Sequence, residues 1–131
     1  MKTHIQKYTT RYGAQAVYSR AIRASGDFVF FQGQTGNDLD GNFVGAGDAG
    51  AQADQACKNL RILIEEAGGH ITDICKLVVY VTDAAYRPAV YAAINSHLEG
   101  AHHCSTGIVC AGLAVPEMLV EIDAWAVVPR A

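Results

Sequence analysis

Two groups of side chains near the C-terminus have the types and spacing for chemistry. Glu121 and Asp123 lie two residues apart in a run, 118–128, that alternates as a strand does. Leu119, Glu121, Asp123 and Trp125 fall on one face, and Met118, Val120, Ile122, Ala124 and Ala126 on the other. A carboxylate in so apolar a strand is costly unless a cation, an N–H group, a water or a ligand meets it. One of the pair is therefore expected to have such a partner; the alternative is that both face solvent at a sheet rim. The second group is His102, His103 and Cys104. Cys104 as a nucleophile would need a lowered pKa and a base beside it. In a strand His102 shares its face and His103 does not. The plainer role for Cys104 is a small polar filler. His102, His103, Cys104 and Cys110 fit no standard zinc spacing, and no metal is expected.

The elements that must position these groups follow from periodicity. Residues 102–128 read as two strands with a short, tight connection. Upstream, 18–24 and 28–32 are strand candidates separated by Ser25-Gly26-Asp27, a hairpin turn. Phe28-Val29-Phe30-Phe31 is apolar on both faces and predicts a central strand. Residues 32–47 form a glycine-rich loop without the spacing of a phosphate-binding loop. Asp48 caps a helix over 48–67 whose apolar stripe is Ala53, Ala56, Cys57, Leu60, Leu63, Ile64 and Ala67, ended by Gly68-Gly69. A strand follows over 74–82, then a turn and a second helix from Pro88 to about Leu98, with His97 read as a satisfied interface histidine. Residues 1–16 predict an edge strand or loose arm, with Ile5 and Tyr8 as its core contacts. The order β-β-α-β-α-β-β predicts an α+β domain: one mixed or antiparallel sheet with two helices on one face. The other face lacks a cover within the chain, so oligomerisation is expected to supply it.

Bulk properties narrow the classes. The 131 residues suit one domain, 1–131. Half of them are hydrophobic, enough for a sizeable core, and only 18% are charged. Net charge is −3 with Lys and Arg scattered, which argues against nucleic acid as a partner. No signal segment or membrane span is visible. Cys57, Cys75, Cys104 and Cys110 show no C-x-x-C spacing and read as reduced thiols of a cytoplasmic protein.

Taken in order, several segments resemble the RidA family, also called the YjgF or reactive-intermediate deaminase family. They are Tyr18-Ser19-Arg20-Ala21-Ile22 with Gly26-Asp27-Phe28-Val29-Phe30; Gly33-Gln34-Thr35; Gln52-Ala53-Asp54-Gln55-Ala56-Cys57-Lys58-Asn59-Leu60; Ala67-Gly68-Gly69; Leu77-Val78-Val79-Tyr80-Val81-Thr82-Asp83; and Pro116-Glu117-Met118-Leu119-Val120-Glu121-Ile122-Asp123-Ala124. No single segment is specific; the ordered set is. The resemblance implies a chorismate-mutase-like fold and a homotrimer with a barrel-like core and clefts between subunits. It implies hydrolysis of 2-imino or enamine acids to keto acids and ammonia, with no metal or organic cofactor.

By position, Glu121 matches the glutamate that orients water and Tyr18 the tyrosine that lines the cleft. Gln32, Gly33, Thr106 and Tyr91 join them as ligand-binding positions, Tyr91 standing where many members carry asparagine. The family's carboxylate-binding arginine has no match. Alignment on Ser105-Thr106 puts Cys104 in its place; alignment backward from Leu113 puts Ser105 there. Arg20, Arg23 and Arg87 are the cations left to replace it. The expectation is an arginine-lacking branch of the family, a hydrolase or deaminase acting on a C–N bond of a small metabolite. The alternative is a non-catalytic small-molecule binder or regulator using the same cleft. A third reading, an RNA-cleaving or translation-inhibiting protein, has the acidic balance against it.

Overall fold

The computed structural model describes residues 2–5 and 18–130. Its strands are β1 (Lys2–Ile5), β2 (Ala21–Ala24), β3 (Asp27–Phe30), β4 (Ile74–Val81), β5 (Cys104–Val109) and β6 (Val120–Val128), with helices α1 (Ala49–Glu66) and α2 (Arg87–His97). Four strands form a mixed sheet in the order β3-β6-β4-β5. In it β6 runs antiparallel to both neighbours, and β5 runs parallel to β4. β1 and β2 pair separately as an antiparallel ribbon.

Local chemistry explains the helices. The Asp48 carboxylate accepts the Ala51 N–H at 3.0 Å and starts α1. Gly68, at φ +84°, lets the chain leave it, and the Gly69 N–H bonds back to Ile64 O at 2.8 Å. The stripe Ala53, Ala56, Cys57, Leu60 and Ile64 is fully buried, in one core with Ile74, Leu77, Val79 and Val81 of β4 and Val120, Ile122, Ala124 and Ala126 of β6. Small residues on both sides, Ala53 and Ala56 against Ala124 and Ala126, suit close approach of helix and sheet. Burial pushes the Cys57 thiol up to about 12. α2 adds Val90 and Ile94 to the same core, and its His97 bonds Asp54 of α1 at 2.6 Å.

The opposite sheet face is open. Phe28 and Phe30 are 72% and 75% exposed there, and Trp125 of β6 pairs in register with Phe30. Glu121 and Asp123 share this face.

Three expectations fail. Ser25-Gly26-Asp27 is a corner, not a hairpin turn, since β2 and β3 belong to different sheets. Gly26, at φ +146°, lies against the end of β6, where a Cβ would stand 2.3 Å from Val128 O. Residues 27–30 are an edge strand, not a central one. Their apolar outer positions, Phe28 and Phe30, face no element among the described residues, while Val29 packs on the core. The connection between β5 and β6 is neither short nor tight: residues 110–119 carry the chain across β4, which lies between them. β1 realises the edge strand expected in 1–16 and adds one strand to the expected order. Tyr8 and the side chain of Ile5 lie outside the described residues.

Both irregular segments hang on α1. The Gln52 side chain, fully buried, donates to Gly45 O at 3.0 Å and Glu117 O at 3.1 Å, and accepts the Leu119 N–H at 2.9 Å. Two turns further on, Asn59 donates to Asn37 O at 2.6 Å and accepts from Gln55 at 2.9 Å. Gln52→Met keeps the volume but strands these backbone groups in the interior. The expected cost is about 2–4 kcal/mol, read from the urea midpoint at unchanged slope.

Candidate functional site

The first polar cluster is a cleft around Glu121. Gln34 exchanges backbone hydrogen bonds with Ile122, 2.9 Å and 2.8 Å, and so lays residues 32–35 along β6. Gly33 then sits directly against Glu121. A Cβ at position 33 would stand 2.1 Å from Glu121 Oε2, so the carboxylate occupies the space a side chain would take. The cavity it borders holds about 480 Å³ and is lined by Gln32, Gly33, Thr35, Leu39, Met118 and Glu121, among others. Partial burial, helped by the nearby Asp123, raises the Glu121 pKa above the ordinary glutamate range. Among the described residues neither Glu121 nor Asp123 has a cation at ion-pairing distance. Glu121 is thus a carboxylate left free to accept from a ligand or water.

The second cluster lies in the groove between α2 and β5. Arg87, Tyr91 and Asn95 recur every four residues and share one helix face. Opposite them, Ser105 and Gly107 pair in register with Leu77 and Val79, which are buried on the helix side of β4. Tyr18 is held at one end. Its hydroxyl donates to Asn95 Oδ1 at 3.0 Å, and its ring meets His103 edge-on at 5.1 Å. The neighbouring Ser19 fastens it, its N–H bonding His103 O at 3.1 Å and its hydroxyl bonding His102 O. At the other end the Arg87 guanidinium lies 4.9 Å over the Tyr91 ring. A Cβ on Gly107 would stand 2.3 Å from Tyr91 Oη and 2.4 Å from Arg87 Nη1. The Ser105 hydroxyl and both ring nitrogens of His103 are buried without a hydrogen-bond partner among the described residues. Burial, reinforced by Lys2 and His102, lowers the His103 pKa to about 4 and keeps the ring neutral. Burial also raises the Tyr18 phenol.

The residues singled out from sequence therefore separate. Gln32, Gly33 and Glu121 meet in the cleft, and Tyr18, Tyr91 and Ser105 meet in the groove. Cys104 and Thr106 point to the open face. There Lys76 stands opposite Cys104 in register and donates to the Thr106 hydroxyl at 2.7 Å. Burial raises the Cys104 thiol more than Lys76 lowers it, the reverse of an activated nucleophile. Arg20 is exposed beside β2. Glu121 is level with Tyr80 and Ile108, so cleft and groove are about 10 Å apart across two strand spacings and on opposite faces of the sheet. Asn95 was not foreseen; its position four residues after Tyr91 was the available signal. Among the described residues no group of three or more His, Cys, Asp and Glu side chains converges as a metal site would. Among the same residues no helix is long and apolar enough to cross a membrane.

Comparison with known proteins agrees with this architecture. Residues 8–128 match the family model described as Endoribonuclease L-PSP. A RutC family protein of Synechocystis sp. is 32% identical over 113 residues, 86% of each chain. A RutC family protein of Pyrococcus abyssi is 35% identical over 66 residues, so that the chain spans about half the length of that relative. Among solved structures, a Rid family protein of unknown function from Yersinia pestis superposes with a TM-score of 0.86 at 31% identity, covering 97% of this chain and 98% of that one. RidA from a Psychrobacter species gives 0.71 at 26% identity, covering 88% and 92%. The chain belongs to the Endoribonuclease L-PSP family, the RidA or YjgF family.

The close fit at Gly33 generates a prediction. In Gly33→Ala the new methyl collides with the end of a flexible side chain, so the fold survives and Glu121 is displaced. Carbon-13 NMR titration of the Glu121 carboxyl should then show its pKa returning toward the ordinary range. An unchanged titration midpoint would mean the carboxylate does not rest against Gly33.

Proposed function

We propose that the protein is a hydrolase of C–N bonds in small imines or enamines, working in a cleft completed by neighbouring copies of the chain. The observation that carries this is Glu121: a half-buried carboxylate of raised pKa, without a cation, at the edge of a cavity. Such a group suits a general base. In this reading water adds across the C=N bond, its oxygen to carbon and a proton to nitrogen, with Glu121 accepting the water's proton and passing it on. In the collapse of the carbinolamine its hydroxyl proton passes to the amine nitrogen, the C–N bond breaks with its electron pair leaving on nitrogen as ammonia, and a carbonyl remains. No metal or organic cofactor takes part.

Two features support assembly as a homotrimer. The open face bears exposed Phe28, Phe30 and Trp125, aromatic surface that a partner would cover. Cleft and groove lie on opposite faces within one chain, so a shared site needs the groove of a neighbour. Cys104 has no role in the reaction, and neither does nucleic acid; the four free thiols fit a cytoplasmic setting. A second reading, a binder without turnover, is favoured by one observation: a serine hydroxyl, not a guanidinium, faces the groove at 105.

Ammonia release from freshly generated 2-aminoacrylate and larger imino acids tests the proposal. Glu121→Gln should abolish release. Wild-type activity should fall as pH drops through the Glu121 pKa, with a midpoint above the ordinary glutamate range, because only the carboxylate accepts the proton. Stability should move the other way. A raised folded-state pKa means the charged form is disfavoured by folding, so Glu121→Gln should raise the melting temperature at pH 7, and the gain should vanish below that midpoint. Normal turnover in Glu121→Gln would overturn the proposal. Ligand-induced thermal stabilisation without any turnover would establish the binder instead.

A further inference from the structure

Cys75 and Cys104 are thiols that the proposed reaction does not use, and the fold sets them side by side. Cys75 is the extra residue of a β-bulge. Ile74 pairs with Ala126 of β6 and Lys76 with the next residue, Trp125, so Cys75 has no partner of its own in that ladder. Burial along β4 records the same irregularity: Ile74 and Leu77 are buried, and the two residues between them are both half-buried. The bulge thus turns Cys75 and Lys76 together toward the open face that carries Trp125. Cys104, the first residue of β5, stands opposite Lys76 and points to the same face. The two cysteines are therefore diagonal neighbours on adjacent strands, with Cα atoms about 6 Å apart by strand spacing and rise. A disulfide spans about 4.4–6.8 Å between Cα atoms. Lys2 ties the same two strand starts together. Its ammonium donates to Thr72 O at 2.7 Å and Ile74 O at 2.9 Å, just before Cys75, and to Ala101 O at 2.9 Å, just before Cys104. Burial lowers the Lys2 pKa while Cys75, Asp73 and Cys104 act against it, which puts the ammonium within electrostatic reach of both thiols. The other two cysteines lie elsewhere: Cys57 is fully buried in α1, and Cys110 follows the far end of β5.

We propose that Cys75 and Cys104 are a thiol modification site, closing under hydroperoxide into a reversible disulfide that pins the edge strand β5 to β4. With hydrogen peroxide as oxidant, Cys75, beside the Lys2 ammonium, attacks first as the thiolate. Its sulfur bonds one peroxide oxygen, the O–O bond breaks, and the departing hydroxide takes up the proton the thiol gave, leaving as water. Cys75 is then a sulfenic acid. The Cys104 sulfur attacks the Cys75 sulfur, the S–S bond forms and the S–O bond breaks, and the second hydroxide leaves as water with the Cys104 proton. Two electrons pass from the two sulfurs to the peroxide, which ends as two waters. Cys104 suits the second step, because burial raises its thiol and makes it the poorer first attacker. A dithiol reductant reverses the bond by exchange. Both thiols lie at the β4–β5 edge of the sheet, away from Phe28 and Phe30 on the opposite edge. The competing explanation is that Cys75 only fills the bulge, its thiol donating to Asp73 O at 3.5 Å, and that each thiol oxidises alone.

Peptide mapping after oxidation separates these. The full chain is treated with hydrogen peroxide, remaining thiols are alkylated under denaturing conditions, and the digest is read by mass spectrometry. The expected result is one linked peptide joining Cys75 to Cys104, lighter by two hydrogens than its parts and released by dithiothreitol, with Cys57 and Cys110 alkylated. Its rate of formation should not depend on protein concentration. The bridge closes a loop of about 30 residues, so the oxidised protein should melt roughly 5–10 °C above the reduced one. Cys104→Ser removes the second thiol, so the Cys75 sulfenic acid should persist and be trapped by dimedone at least about 5-fold more than in wild type. Serine replaces a single atom, and melting curves of the reduced variant check that it folds. Alkylation of both thiols after treatment, sulfinic acid at either without a link, or a link to Cys57, Cys110 or a second chain would overturn the inference. So would equal dimedone labelling of wild type and Cys104→Ser, or an oxidised form that melts with the reduced one.

Discussion

The surroundings of Glu121 depend on one buried carboxamide. Residues 32–47 are rich in glycine and contribute no regular element, and residues 110–119 are equally irregular. Neither segment could hold a cavity wall in place through side-chain packing alone, since ordering glycine-rich backbone carries a high entropic cost. Gln52 binds both segments from within α1, and Asn59 repeats the device for the first of them. The hydrogen bonds are buried, so breaking them would expose donors and acceptors to an apolar interior. A rigid helix thereby lends its order to two loops, and the loops give the Glu121 cleft its depth.

β6 separates a buried face from an open one by its two-residue period. Val120, Ile122, Ala124 and Ala126 are buried beneath the helices, while Glu121, Asp123 and Trp125 stand on the open side. The core residues fix the strand and so fix the direction in which Glu121 projects. The raised pKa of Glu121 records a charge that partial burial and the neighbouring Asp123 disfavour. Arg87 is also unfavourably placed, a cation at the positive end of a helix.

The fold was legible where one period dominated. The 3.6-residue stripe of α1 and the alternation of β4 and β6 both survive in the structure, with Asp48 as the foreseen cap. Errors arose where one chemistry serves two geometries. Ser25-Gly26-Asp27 has the residues of a hairpin turn, yet the same glycine freedom makes a corner between sheets. Phe28 and Phe30 look like core residues in sequence, because apolar residues of high strand propensity read the same whether the strand lies inside a sheet or at its edge. The site was legible only in halves. Glu121 stood out as a carboxylate in an apolar strand. The neighbours that define the groove, Asn95 for Tyr18 and Gly107 for Arg87, depend on how α2 is phased against β5, and no local pattern states that phase.

That phase also makes the absence of an arginine at 104 or 105 intelligible. A strand arginine facing α2 would compete for the space that Arg87 and Tyr91 fill, and any side chain at 107 would close it. Ser105, Gly107 and Arg87 therefore act as one arrangement rather than three independent choices: a short residue, no residue, and a long one reaching across from the helix. Residues sharing one space do not contribute additively, so restoring arginine at 105 while Arg87 remains would place two guanidinium groups in one groove. Their repulsion, in a partly buried setting, would be destabilising. Arg87 and Tyr91 already fill the space against Gly107 that a longer strand side chain would need.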